Sequence, residues 1–305
     1  MKKILVIGSS NIDLIATLDR FPEVGETIEG FSFQQEMGGK GANQALAAHR
    51  AGGEVVFISM LGDDSYGNNA LKFFEQEGID VSLSKKCKEL PTGTAMIWVD
   101  QNGENSIVII PGANKMLTPS YINSVRKAIE EADIIVLQME IPYETVSTVC
   151  GVASQLGKQI ILNVAPAYPV DDTILREIHI LIVNQSEAET ITGEKINEIG
   201  EDAIVEKLLM KGVSNVILTL SSKGCLYKNS DETISVPAYK VKARDTTAAG
   251  DTFCGALAAA LSKDKNINEA LLFATAASAL CVTRLGAQPS IPGEMEIEDF
   301  IKTRS

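Results

Sequence analysis

The residues whose types and spacing best suit chemistry lie in one stretch, Asp245-Thr246-Thr247-Ala248-Ala249-Gly250-Asp251-Thr252-Phe253-Cys254-Gly255-Ala256. Small residues lead into an acid that opens a run of helix formers. At a helix start the first backbone N–H groups have no partner inside the helix, and the helix dipole adds partial positive charge. Successive backbone N–H groups at such a turn can therefore form a hole for developing negative charge, and Gly250 allows close approach of a ligand. Asp251 stands where a hydroxyl and a phosphoryl group can meet, and a carboxylate there can take the hydroxyl proton. The competing structural reading is an Asp that only caps a helix.

Four further motifs carry polar groups at useful spacings. In Gly38-Gly39-Lys40-Gly41-Ala42-Asn43-Gln44-Ala45, glycines ahead of a helix admit a ligand to the backbone. Lys40 adds charge, and Asn43 offers both donor and acceptor, as a polyol needs. The phosphate-cradling pattern Gly-x-x-x-x-Gly-Lys-Ser/Thr does not occur. Asn11-Ile12-Asp13 follows an apolar run, and residues i and i+2 of an extended chain point the same way, so Asn11 and Asp13 can chelate neighbouring hydroxyls. An Asx turn is the alternative. Asn184-Gln185-Ser186-Glu187 can hold an amide and a carboxylate near Mg²⁺-bound phosphates through water, or form a capping box. Thr219-Leu220-Ser221-Ser222-Lys223-Gly224 is a nucleotide-contact loop or an ordinary β-turn.

Composition removes other chemistries. The 305 residues carry a formal net charge of −13, which argues against nucleic-acid and anionic-membrane surfaces. A phosphate ligand must then be held by local devices such as amides, a metal ion or one lysine. Only two histidines, His49 and His179, are present, so zinc sites and histidine triads lack ligands. The five cysteines contain no Cys-x-x-Cys pair and read as reduced, mostly buried thiols. No apolar run has the length of a membrane span, and the short N-terminal run reads as a first strand rather than an export signal. The cytoplasm is the expected compartment.

The elements that must position these motifs follow from periodicity. Apolar runs at Ile4–Gly8, Val55–Met60, Ile134–Gln138, Gln159–Asn163, Ile180–Val183 and Val216–Leu220 predict buried strands. Helical spacing recurs at Asn43–Ala51, Tyr66–Gln76, Pro119–Glu130, Ile204–Lys211 and Asp251–Leu261. The alternation predicts an α/β fold: a doubly wound, mostly parallel sheet with helices on both faces, in one domain over 1–305. Residues 14–37 and 92–110 instead alternate apolar and polar residues, the second around Asn102-Gly103, a hairpin signal. They predict a small β-sheet lid over a cleft, with Trp98 in its packing; an edge extension of the main sheet is the alternative.

Together and in this order, these motifs resemble the ribokinase-like family of carbohydrate kinases, over Val6 to Pro292. Gly38–Gly62 and Asp245–Ala256 are the specific stretches. The resemblance implies a kinase that uses ATP and Mg²⁺ to phosphorylate a sugar, ribose foremost, at its C5 hydroxyl, with Asp251 as base and Ala248, Ala249 and Gly250 as anion hole. It implies sugar contacts from Asn11, Asp13, Gly39, Lys40, Asn43 and Glu140, nucleotide contacts from Asn184, Thr219, Ser221 and Gly224, and a Mg²⁺ role for Glu187. It further implies a monovalent cation, K⁺ by expectation, between a loop carrying Asp245 and Thr247 and a second carrying Cys281, Arg284, Gly286 and Ser290. Thr275 stands at an adenine-side position often held by His or Asn. The lid is expected to clamp the sugar and join a homodimer. Other acceptors (2-deoxyribose, fructose, a nucleoside) and a non-catalytic sugar sensor are the rival readings.

Overall fold

The apolar runs pair into one eight-stranded sheet in the computed structural model, which describes residues 1–304. In chain order the strands are β1 (Lys3–Ile7), β2 (Asn11–Thr17), β3 (Ser32–Gly38), β4 (Glu54–Ile58), β5 (Met60–Gly62), β6 (Lys85–Cys87) and β7 (Gly93–Val99). They continue with β8 (Asn105–Ile110), β9 (Ile134–Leu137), β10 (Gln159–Asn163), β11 (Ile180–Val183), β12 (Asn215–Thr219), β13 (Gly224–Lys228) and β14 (Thr233–Pro237). The large sheet has the order β14-β13-β12-β11-β10-β9-β1-β4. Its strands run parallel from β4 to β12, and β13 and β14 add an antiparallel edge.

Alternating side chains of β1 show why both faces are covered. Ile4 and Val6 enter one core, Leu5 and Ile7 the other. The first face carries α1 (Lys40–Arg50) and α2 (Ser65–Glu77), and the second α3 (Pro119–Ser124), α4 (Arg126–Glu131) and α5 (Tyr143–Gln155). Next come α6 (Asp172–Leu175), α7 (Gln185–Thr192), α8 (Ile196–Ile199) and α9 (Glu201–Met210), also on the second face. Then α10 (Ala249–Ser262), α11 (Ile267–Cys281) and α12 (Glu294–Lys302) return to the first. The helix expected over Pro119–Glu130 breaks in two at Val125, whose φ of −111° and ψ of 18° leave the helical well. The Ser124 hydroxyl also donates to the Tyr121 carbonyl at 2.7 Å, competing with the backbone ladder.

The two alternating segments form a separate four-stranded sheet, β3-β2-β7-β8, rather than an edge of the large one. It begins nearer the large sheet than expected: β2 starts at Asn11 and β3 ends at Gly38, so the Asn11/Asp13 and Gly38/Gly39 motifs are its roots. Asn11 pairs Gly38 and Gly93, and Asp13 pairs Glu36 and Ala95. The chain leaves β1 with β4 on one side and β9 on the other, a topological switch point, where α/β sheets bind ligands beyond their carboxyl ends.

Candidate active site

Gly255 brings the two specific stretches together. A Cβ there would stand 2.6 Å from Ala47 Cβ, so only glycine lets α10 lie this close to α1. One turn earlier on α10, Asp251 is buried and faces the first turns of α1. Its Oδ2 accepts from Asn43 Nδ2 and its Oδ1 from Gln44 Nε2, each at 3.0 Å. Asp251 therefore does not cap its helix, which has no side-chain cap at all. Each carboxylate oxygen keeps lone-pair capacity for a substrate hydroxyl.

The same helix start is open to an anion. Ala248 occupies the N-cap in the left-handed region, φ 58°. The N–H groups of Ala248, Gly250 and Asp251 make no hydrogen bond within the protein. The Ala249 N–H is turned back to the Thr246 carbonyl at 3.2 Å, so of the three expected amides this one is already engaged, and that of Asp251 is free in its place. A Cβ on Gly250 would meet nothing within 4 Å, which leaves space over the turn.

Toward β2 the polar groups suit a polyol. Asn43 Oδ1 is buried with no partner, an unused acceptor beside the carboxylate. Asn11 and Asp13 are both buried. Asn114 Nδ2 donates to Asn11 Oδ1 at 2.8 Å, which fixes the Asn11 amide so that its NH₂ faces elsewhere. Asn114 is itself fixed, accepting from the Ser10 N–H at 3.0 Å. Glu140 Oε2 accepts from the Ser9 hydroxyl at 2.6 Å and the Lys40 N–H at 3.0 Å. Gly39, at φ 90°, turns the chain between β3 and α1 where a Cβ would stand 2.8 Å from the Asn11 nitrogen.

Charges are concentrated here. Burial, then Glu140, Glu36 and Asp251, push the Asp13 carboxyl up to about 7. Burial works against the Lys40 charge, but Asp251, Glu140 and Glu187 outweigh it and hold this lysine above its ordinary value. Lys40 thus links the Glu140 cluster to Asp251 and Glu187.

On the phosphate side, Asn184 and Glu187 form the capping box that opens α7: Asn184 N donates to Glu187 Oε2 at 2.7 Å, and Glu187 N to Asn184 Oδ1 at 3.0 Å. Burial raises the Glu187 carboxyl to about 7, a cost that a neighbouring cation would relieve. The capping-box reading of this motif is thus borne out. Asn184, Thr219 and Ser221 line a cavity of ≈ 380 Å³ at the carboxyl ends of β11 and β12. Gly224 lies outside its lining, at the start of β13. Thr275 is buried on α11 with its hydroxyl 3.9 Å from Cys225 Sγ, and does not line that cavity.

The two loops expected around a monovalent cation do meet. Asp245 Oδ1 accepts from Thr247 N at 2.9 Å and Thr247 Oγ1 at 2.6 Å, and its Oδ2 from Gly286 N at 2.9 Å. Burial raises the Asp245 carboxyl, but these donors outweigh it and keep it below the usual carboxylate range. Cys281 Sγ lies 3.6 Å from the Thr247 carbonyl and 3.0 Å from Ser290 Oγ. The carbonyls of Asp245, Arg284 and Gly286 accept no hydrogen bond within the protein. A set of carbonyl and hydroxyl oxygens fits a hard cation rather than one that prefers thiolate or imidazole. The Arg284 side chain turns away to Glu296, 2.6 Å distant. Among the described residues no group of three or more His, Cys, Asp or Glu side chains could hold a metal.

The sequence model of the pfkB family carbohydrate kinases matches residues 1–294. The chain belongs to this family. It is 38% identical over 304 residues to a ribokinase of Haemophilus influenzae, covering 99% of both chains. It is 34% identical to a deoxyribokinase of Salmonella typhi, covering 98% of both. Its fold superposes on Arabidopsis thaliana ribokinase, solved with ribose and ATP, with a TM-score of 0.91 and 32% identity, covering 99% of both chains.

The site of this carbohydrate kinase also contains residues that the motif reading left without a role: Ser9, Gln44, Asn114, Gln138 and Asn163. Gln138 and Asn163 each put a polar residue at the carboxyl end of a buried strand, a signal that points toward a ligand side. Ser9, Gln44 and Asn114 carry no such signal; only the fold shows what they touch.

Proposed function

We propose that this kinase transfers the γ-phosphoryl group of ATP to the C5 hydroxyl of ribose. The observation that carries the proposal is the Asp251 carboxylate, held on one side by Asn43 and Gln44 and flanked on the other by the free amides at the start of α10. Asp251 accepts the hydroxyl proton as the oxygen attacks. The N–H groups of Ala248, Gly250 and Asp251 receive the charge on the transferred group. Asn11, Asp13, Gly39, Lys40, Asn43 and Glu140 bind and orient the sugar, and a neutral polyol suits their mix of carboxylates and amides. Asn184, Thr219, Ser221 and Gly224 bind the nucleotide, with Thr275 beyond them.

Mg²⁺ bound with ATP neutralises phosphate charge, and Glu187 with Asn184 would hold it through water. A monovalent cation, K⁺ by preference, would sit between the loop of Asp245 and Thr247 and the loop of Cys281, Arg284, Gly286 and Ser290. There it would add fixed positive charge behind the amides. The small sheet acts as a lid that keeps water, a competing acceptor, from the reaction. Its exposed apolar strand β8 joins two copies of the chain. The reduced, buried cysteines and the ATP requirement fit the cytoplasm.

The likeness to a deoxyribokinase supports 2-deoxyribose as the second reading. ADP release with Mg-ATP, measured across ribose, 2-deoxyribose, fructose and nucleosides with and without K⁺, decides between them. Turnover highest on ribose and raised by K⁺ is the expected result. Turnover highest on another acceptor overturns the ribose assignment and leaves the mechanism; saturable sugar binding without ADP release overturns both.

A further inference from the structure

We infer that Gln44 is the positioning residue of the base: a directional chain of three buried amides lets it present only its NH₂ group to Asp251. The inference rests on Asp251 being the base. Its starting point is Asn163 at the end of β10, whose Nδ2 donates to the Ile182 carbonyl of β11 at 3.2 Å. That bond leaves Asn163 Oδ1 as an acceptor, and Gln44 Nε2 donates to it at 3.2 Å. From the other side Gln138 Nε2, just past β9, donates to Gln44 Oε1 at 2.7 Å.

Both ends of the Gln44 amide are therefore assigned by neighbours rooted in the large sheet. Its two N–H bonds go to Asn163 Oδ1 and Asp251 Oδ1, and its oxygen is filled by Gln138. A flipped amide would set oxygen against two acceptors and NH₂ against a donor, losing three bonds in a space closed to water. Gln44 and Gln138 have no exposed surface, and Asn163 is 7% exposed. Gln138 Oε1 has no partner, so the geometry of Gln44 is set chiefly by the two acceptors that its NH₂ faces, Asn163 Oδ1 and Asp251 Oδ1.

The consequence is a carboxylate that cannot rotate. Asn43 holds Oδ2 and Gln44 holds Oδ1, so both oxygens are pinned, one by a residue with an acceptor left for substrate and one by a residue with nothing left. Every polar atom of Gln44 is hydrogen-bonded inside the protein and the side chain has no exposed surface, so its role runs through Asp251. The other titratable groups facing Asp251 are Asp13 on β2, Lys40 on α1, Glu187 on α7, Cys254 on α10 and Cys281 on α11. Substitution at Gln44 alters none of them.

The test uses Gln44→Met, which keeps the volume and removes every hydrogen bond, with Gln44→Glu as an isosteric second variant. In Gln44→Met, kcat should fall by about 10- to 100-fold, as expected for a misplaced catalytic group. Ribose affinity, measured by calorimetry, should change less than about threefold, since Gln44 makes no sugar contact. The split between kcat and affinity is the readout that a merely structural role would not give, since a loosened fold would weaken both. In an Asp251→Asn background, Gln44→Met should lower the residual rate by less than about twofold, since positioning matters only when the base is present. If Gln44→Met does not fold, Gln44→Glu is read in the same way.

Wild-type kcat in the folded variants, with Asp251→Asn inactive, overturns the role of Gln44 alone. Normal turnover in Asp251→Asn overturns the base and this inference with it.

Discussion

A Cβ on Gly255 would stand 2.5 Å from the carbonyl oxygen of Gln44, far inside van der Waals contact. The nearest atoms are backbone or helix-core groups that cannot swing aside, so α1 and α10 would have to separate. That contact also sets the distance over which Asn43 and Gln44 reach Asp251. Gly255→Ala should therefore destabilise the fold by about 1–3 kcal/mol, as overpacking does, and lower kcat in the protein that remains folded. Chemical denaturation and steady-state rates measure the two effects. An unchanged denaturation midpoint would show that the helices can part at no cost.

Asp251→Asn keeps the shape of the side chain and removes the proton acceptor. The expected result is a fall in kcat of about 10²- to 10⁴-fold, with the dissociation constant for ribose nearly kept. Single-turnover rates and calorimetry give the two numbers. A tenfold or greater loss of ribose affinity with normal kcat would assign Asp251 to binding instead.

How much of this was legible beforehand differs by element. The strands from β1 to β12 of the large sheet were legible because a strand buried on both faces must be apolar at every position, as Ile134–Leu137 and Ile180–Val183 are. Asp251, Asn43, Asn11 and Asp13 were legible because each sits beside glycines or a strand end. The break at Val125 was not, since the apolar spacing runs through it and only local hydrogen bonding decides. Gln44, Gln138 and Asn163 come from positions 44, 138 and 163, and nothing in one dimension says that three amides share one dry space. Parallel crossovers bring them together, and the fold had to be seen for that.

Asp13 gives the site an opposite dependence of stability and binding on pH. Its carboxyl is raised from 3.8 to about 7 in the fold, chiefly by burial and then by Glu140 and Glu36. The folded state then binds more protons than the unfolded state between those values, so protonation favours folding and stability falls as pH rises from about 4 to about 7. Glu187, raised to about 7 by burial, adds to the same trend. Asp13→Asn should stabilise the ligand-free protein at pH 8 by an amount on the order of a few kcal/mol, and should weaken ribose binding at least tenfold. Thermal melts at pH 5 and pH 8 test this: the gain from the substitution at pH 5 should be about a third of that at pH 8, because pH 5 lies about a third of the way from 3.8 to about 7. An equal gain at both values would trace the effect to something other than the charge.

Asp245 ties the two loops of the proposed cation site, accepting two hydrogen bonds from Thr247 in its own loop and one from Gly286 in the other. Asp245→Ala should release Gly286 and Thr247 and so abolish the response of the rate to K⁺. The basal rate in Na⁺-free, K⁺-free buffer should change less, by about threefold or under, because Asp251 and its amides remain in place. Rate against K⁺ concentration is the measurement. A variant that keeps a full K⁺ response would place the cation, or its effect, elsewhere.

The small sheet poses a problem of solubility that association would solve. Along β8, Ile107, Val108, Ile109 and Ile110 are 41 to 51% exposed, and Phe33 on β3 and Met96 on β7 add to the apolar surface. β8 is also an edge strand, with one side of its backbone unpaired. A long apolar edge is a site for pairing with another chain, and sheets that stay alone blunt such edges with charges or proline. β8 carries neither within Asn105–Ile110. Two copies meeting through this surface would bury both features at once and would brace the two lids against each other. Ile109→Lys should convert the dimer to monomer in light scattering at micromolar concentration. It should also raise the KM for ribose with little effect on the KM for ATP, because β7 and β2 lead from β8 to Asn11 and Asp13. A wild-type protein already monomeric at such concentrations, or a Lys variant still dimeric, would remove the small sheet as the interface.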